Sequence, residues 1–229
     1  ITSLIFLIGS ESLIVGDASG ALSLWFPVRV LKVENTGEQS VDFDGEPLAP
    51  GASRVVPDLG YADQYSHLPE LSITTHGLPL KLIRTFDPHA GAIVALAASP
   101  RDKGFVSADS RGGIRLHYAT TAKTMLRLRG GASTARTLTF TPKADGFMAL
   151  DEDFRLHRWW IDNPHPQATV ASLFTKVWYE GYSQPMHVWQ STGGSDDFEP
   201  KLGLWPLLFG TLKATLFAMI FSIPLAIFT

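Results

Sequence analysis

The chain has 229 residues, 45% of them hydrophobic and 18% charged, which places it in the globular range and excludes a disordered polymer. A net charge of −3 removes the electrostatic case for nucleic acid as a general partner, and the absence of cysteine excludes disulfides and thiolate metal sites. Fifteen Pro and twenty Gly punctuate the chain often, which suits many short strands better than long helices. Apolar alternation marks the first strands at 3–8 (SLIFLI) and 12–15 (SLIV), followed by a turn at Asp17–Gly20 and a strand through Trp25. The opening run has no basic leader and no small-residue cleavage site, so it does not read as a signal peptide. The chain begins inside one apolar run and stops inside another, as a fragment of a longer protein would.

From 33 to 77 the sequence holds strand-like pieces and turns without a clear repeat, and reads as an insertion of short strands and loops. Strands resume at 81–86 (KLIRTF), 92–99 (AIVALAAS), 104–107 (GFVS), 124–129 (TMLRLR), 136–141 (RTLTFT) and 146–149 (GFMA). Three stretches align on an aspartate: VGDASGALSLWF (15–26), SADSRGGIRLHY (107–118) and ALDEDFRLHRWW (149–160). Five places after Asp17, Asp109 and Asp151 stand Leu22, Ile114 and Leu156, and eight places after them stand Trp25, His117 and Trp159. Gly20 and Gly112 occupy the third place in two copies, and Phe154 in the last. Asp and Gly accept tight-turn geometry, so each copy predicts a β-hairpin with one buried face.

The spacing from Asp109 to Asp151 is 42 residues, the length of one four-stranded propeller blade. Residues 89–117 resemble a WD-repeat at His89, Gly91, Ile93, Leu96, Ser99, Pro100, Ser107, Asp109, Gly112, Ile114 and Leu116. His117 stands where that family usually has Trp, and no Asp follows it. The resemblance implies that His89, Ser107, Asp109 and the residue at 117 form a structural hydrogen-bond network rather than an active site. The fold class expected is all-β: an incomplete or partial β-propeller with WD-repeat-like blades over 1–165, followed by a C-terminal apolar helix. Three blades do not close a ring. The units are therefore part of a longer propeller, or a homo-oligomer completes it.

No catalytic constellation stands out, and no catalytic, cofactor-binding or metal-ligating residue is assigned. His157 and His165, with Asp162 between them, are the nearest approach to a metal pair, and a surface loop is the better reading. The acidic runs 42–46 (DFDGE) and 151–153 (DED) read as solvated turns, because calcium needs more oxygen ligands at defined spacing. The Arg-rich stretch 127–136 (RLRGGASTAR) reads as a solvated strand end, and its glycines lack the Lys-Ser/Thr ending of a phosphate loop.

Residues 166–200 form an aromatic-rich linker. Its Trp178, Tyr179, Tyr182 and Trp189 suit either a membrane interface or a hydrophobic plug. From Leu202 onward the one charge is Lys213, and no polar stripe follows it, so 201–229 reads as the truncated start of a transmembrane helix. The string from Trp189 to Phe228 resembles the membrane core of phosphate-uptake (Pst-type) ABC transporter permeases. The residues that carry the likeness are Trp189, Gly193, Gly194, Pro206, Gly210, Thr211, Leu212, Ile223, Pro224, Leu225, Ala226 and Ile227.

Long members of that family carry a large extra domain before this helix. The resemblance implies a bacterial inner-membrane protein whose strand-rich part faces the periplasm as a non-catalytic docking module. It also implies a second permease subunit, an ATPase subunit and a periplasmic substrate-binding protein as partners, beside the lipid contacted by the C-terminal segment. No transport residue of the family falls on this chain. Two other readings stay open: a soluble β-propeller scaffold closed by its last helix, and a propeller-type enzyme or ligand sensor.

Overall fold

The computed structural model describes residues 1–35, 40–41, 47–57, 71–129, 133–162, 165–195 and 198–228. The chain is strand-rich, with several small sheets and one apolar C-terminal helix. The first sheet has the order β1-β2-β3-β9, from β1 (Ser3–Phe6), β2 (Leu13–Gly16), β3 (Leu22–Pro27) and β9 (Leu80–Thr85). The second joins β10 (Ile93–Ala98), β11 (Gly104–Asp109), β12 (Gly113–Tyr118) and β13 (Lys123–Arg129) in sequence order. The third joins β14 (Ala135–Phe140), β15 (Gly146–Asp151) and β16 (Leu156–Trp160), and among the described residues it has no fourth strand.

All neighbouring strands in these sheets are antiparallel. Alternation works as the sequence predicts: Leu22, Leu24 and Phe26 of β3 point inward while the residues between them are half-buried. The first strands β1, β10 and β14 lie beside one another, so the three sheets are stacked in chain order. One apolar core joins the first two sheets through Ile14, Leu24, Phe26, Ile93 and Phe105. A second joins sheets two and three through Ala95, Ala108, Leu116, Leu138 and Phe147.

Gly16 packs closely against the second sheet. A Cβ there would stand 2.7 Å from Ile93 Cγ2, so only a residue without a side chain fits.

The segment between β3 and β9 leaves the first sheet and returns to it. Within it, β4 (Val30–Asn35) pairs with both β7 (Ser53–Pro57) and β8 (Leu71–Gly77), and β5 (Ser40–Val41) pairs with β6 (Pro47–Leu48). The long Asp17–Asp109 interval is thus occupied by a small sheet set into the β3–β9 hairpin. The acidic run 42–46 lies outside the described residues, as do 130–132 of the Arg-rich stretch.

The three repeated aspartates build the same turn. Asp17 Oδ1 accepts from Ser19 N and Ala21 N at 2.8 and 3.0 Å, and Asp109 Oδ1 accepts from Arg111 N and Gly113 N at 2.8 Å each. Asp151 Oδ1 accepts from Arg155 N at 2.8 Å. The residue three places on is left-handed each time: Gly20 at φ +86°, Gly112 at +78° and Phe154 at +59°. Glycine takes that conformation freely, whereas Phe154 does so under strain.

After β16 come α1 (Val170–Phe174), β17 (Trp189–Gln190), β18 (Lys201–Leu202) and α2 (Trp205–Phe228). Thr169 starts α1 through a reciprocal bond pair with Ser172. The 24 residues of α2 rise about 36 Å at 1.5 Å each, enough to cross a bilayer core. None of its apolar window is buried against the sheets.

Candidate functional site

Two polar clusters occupy the protein's interior. The first lies in the second sheet and the segment leading into it, and threads five side chains into one chain of hydrogen bonds. Thr124 Oγ1 is 3.1 Å from His117 Nδ1, His117 Nε2 is 2.9 Å from Ser107 Oγ, and Ser107 Oγ is 2.8 Å from His89 Nε2. His89 Nδ1 then meets Asp109 Oδ2 at 2.8 Å. One assignment of protons satisfies every link. Both imidazoles are neutral, each donates toward Asp109, and each accepts from a hydroxyl on its other nitrogen.

Burial enforces this state. Desolvation holds the His117 pKa down at about 3, with repulsion from His89 and nearby arginines acting the same way. Desolvation also lowers the pKa of His89, against the opposing pull of Asp109. For Asp109, burial works to raise the pKa, but donation from Gly113, His89 and Arg111 prevails and keeps it below the usual carboxylate value.

Asp, His and Ser in contact invite comparison with a nucleophilic triad, and the surroundings rule that use out. His89, Ser107, Asp109 and His117 are all buried, and Ser107 Oγ already has two imidazole partners, so no substrate carbonyl reaches it. His117 fills the site where a Trp was expected: it donates to Ser107 as an indole would and stacks on Phe105 at 4.8 Å. The cluster ties the segment before β10 to β11, β12 and β13.

The equivalent positions in the other sheets are poorer. Asp17 has only its turn and the Ser19 hydroxyl, whose hydrogen bond is the main cause of its lowered pKa. Asp151 is held low chiefly by His157, whose Nε2 lies at 2.9 Å. His157 therefore faces Asp151 on β16, and His165 is exposed. Among the described residues no three His, Cys, Asp or Glu side chains are grouped to hold a metal ion.

The second cluster joins the sheets to the segment before α2. Lys103, buried in the β10–β11 turn, donates to Ile8 O in the β1–β2 turn at 2.6 Å and to Glu180 Oε2 at 2.5 Å. Arg84 of β9 donates to Ala119 O at 3.2 Å and to Trp178 O at 2.6 Å. Burial brings its pKa down to about 10. Glu199 accepts from Tyr118 Oη at 3.0 Å and from the Thr120 hydroxyl. Desolvation raises the Glu199 pKa, and the two hydroxyl donors oppose the rise only in part.

Lys201 lies over the Phe198 and Tyr179 rings at 4.8 and 5.7 Å, and burial lowers its pKa. A cavity of about 170 Å³ opens between Lys103, Tyr179, Glu180, Glu199 and Lys201.

The 166–200 stretch reads as a linker in sequence, yet this clasp fixes it on the sheets. Its aromatics divide. Tyr179 is buried and Trp178 packs edge-on against Phe26 at 6.1 Å, whereas Trp189 faces outward. Sequence reasoning missed Arg84, Lys103, Glu180 and Glu199, because partners 35 to 95 residues apart leave no local spacing to read.

No protein-family model and no curated protein matches the chain. Its role rests on its own geometry.

Proposed function

We propose that the chain is a non-catalytic extracytoplasmic module joined to a membrane span, from a bacterial inner-membrane ABC transporter permease of the phosphate-uptake type. The carrying observation is that α2 is long, apolar on every side and unburied, while its start is clasped to a well-packed strand-rich body. A soluble scaffold closed by its last helix would bury one face of that helix. In the proposed arrangement lipid and the other membrane helices of a transporter cover it. The second permease subunit and the ATPase subunit meet the membrane part, and the sheets stand in the periplasm as a platform for a substrate-binding protein.

The three stacked sheets read as consecutive propeller blades. Their first strands line one side, their Asp turns repeat, and the second carries the His–Ser–Asp network that the WD resemblance implies. That the third sheet has three strands among the described residues fits a ring completed by further strands. The buried, fully hydrogen-bonded polar residues favour a rigid docking surface over a catalyst.

The test has two parts. The chain is expected to stay with membranes through an alkaline carbonate wash and to leave only in detergent; release by the wash would sink the membrane reading. Disrupting its coding sequence is expected to cut uptake of labelled phosphate, and unchanged uptake would remove the substrate assignment.

A further inference from the structure

We infer that α1, the β17 segment and the first turn of α2 form a collar that lies in the headgroup zone of a lipid bilayer. This rests on the reading of α2 as a membrane span. The collar is built from Val170 and Phe174 on α1, with Met186, Trp189 and Trp205 beside them, and all five are exposed. Val170 and Phe174, 77% and 47% exposed, are four residues apart and so share one face of α1.

These apolar groups are fixed at one height relative to α2. Leu204 N donates to Leu173 O at 2.8 Å, Gly203 N to Val188 O at 2.8 Å, and the Trp205 indole Nε1 to Phe174 O at 2.8 Å. The His187 ring meets Trp205 edge-on at 6.1 Å. Two backbone segments, the end of α1 and the stretch at Val188, are therefore pinned to the start of α2, and each presents its apolar side outward.

The occupant follows from continuity. The exposed patch runs without a break into a helix that is apolar all round and unburied, so the medium that covers the helix also meets the collar. The surface itself is an exposed patch of Val, Phe, Met and Trp. Indoles prefer the bilayer interface, where the ring is desolvated and the N–H keeps a partner. Exposed Lys176 lies next to α1, where an ammonium meets lipid phosphates.

The collar also sets the domain's orientation. Lys103 ties the clasp to Ile8, in the turn where β2 begins, and Asp17 lies at the other end of β2. The Asp17 turn lies at the end of β2 remote from the clasp, so position 18 serves as the reference farthest along the strand from it.

The chain has no cysteine, so a single introduced cysteine carries a spin label without ambiguity. The full chain is reconstituted in phosphatidylcholine vesicles containing a minority of phosphatidylglycerol, with labels at Val170→Cys, Phe174→Cys, Phe217→Cys or Ala18→Cys. Collisions with oxygen and with a water-soluble nickel chelate are then measured. Circular dichroism confirms that each variant keeps the strand content of the parent.

The ratio of oxygen to nickel collisions is expected to be highest at 217, lowest at 18, and at least several-fold above the position-18 value at 170 and 174. A deep 217 with 170 and 174 as water-exposed as 18 overturns the collar alone. Protection of 170 and 174 from both agents overturns it too, because protein would then cover the patch. Water exposure at 217 overturns the membrane reading together with the collar.

Discussion

Acidifying the protein tests the neutral histidine chain in the second sheet. With the folded-state pKa of His117 at about 3 and an unfolded value near 6.5, the unfolded chain binds a proton that the folded chain refuses. Stability is therefore complete above pH 6.5, falls as pH drops below it, and stops falling once pH is below about 3. The slope is about 1.4 kcal/mol per pH unit, so moving from pH 6.5 to 5 removes about 2 kcal/mol through His117 alone. His89 acts in the same direction, since its pKa is also depressed by burial. The carboxylates Asp17, Asp109 and Asp151 act only below their ordinary range, whereas Glu199, its pKa raised by desolvation, gains stability as pH falls and opposes the histidines equally in parent and variant.

The assay is urea unfolding in detergent micelles at pH 7, 6 and 5, followed by far-ultraviolet circular dichroism, for the parent and for His117→Gln. The variant is less stable at every pH, but the quantity compared is the slope. It should lose about one proton's worth of pH dependence between pH 6.5 and 5. His117→Trp, which cannot titrate yet keeps a donor for Ser107, provides a second variant with the same expected slope. If both variants retain the parent's full slope, His117 is not the buried neutral group described above, and the reasoning fails.

Three further outcomes follow from the packing. Gly20→Ala places a Cβ 2.6 Å from the carbonyl oxygens of Gly91 and His89 at a left-handed position, and should cost at least about 2 kcal/mol in the same unfolding assay. Phe154→Gly relieves the strained third turn and should gain about 0.5 kcal/mol, even with the Arg136 contact at 5.6 Å lost; a clear loss would mean that contact dominates. Lys103→Met leaves Glu180 without its buried ammonium and should cost about 3 kcal/mol, while Lys103→Met with Glu180→Gln should regain much of it. Additive losses in that pair would show that the two side chains do not act together.

The local elements were written in short-range features. Alternation in β3, β10 and β12 and the Asp turns at 17, 109 and 151 mark strands and hairpins, because a pleated strand with one buried face must alternate. The network of His89, Ser107, Asp109 and His117 was legible through its resemblance to a WD-repeat, although the exchange of Trp for His hid what 117 does. The apolar run from Leu202 marked a helix with no polar side.

What the sequence left open depended on distant partners. Whether 33–77 lies between sheets or inside one was settled only by β3 pairing with β9 across it. The aromatics of 177–189 looked alike in sequence, and Arg84 and Phe26 draw Trp178 inward while Trp189 is left outside. The clasp of Lys103, Glu180 and Glu199 arises because two turns and the segment before α2 converge on one buried spot. Charges there are stabilised only by partners that folding brings together, so no single stretch of the chain announces them. The sequence by itself determined the strands, the turns and the apolar helix, since those follow from the periodicity of neighbouring residues. Tertiary structure alone decided how the helix is fastened to the sheets and which side chains remain outside.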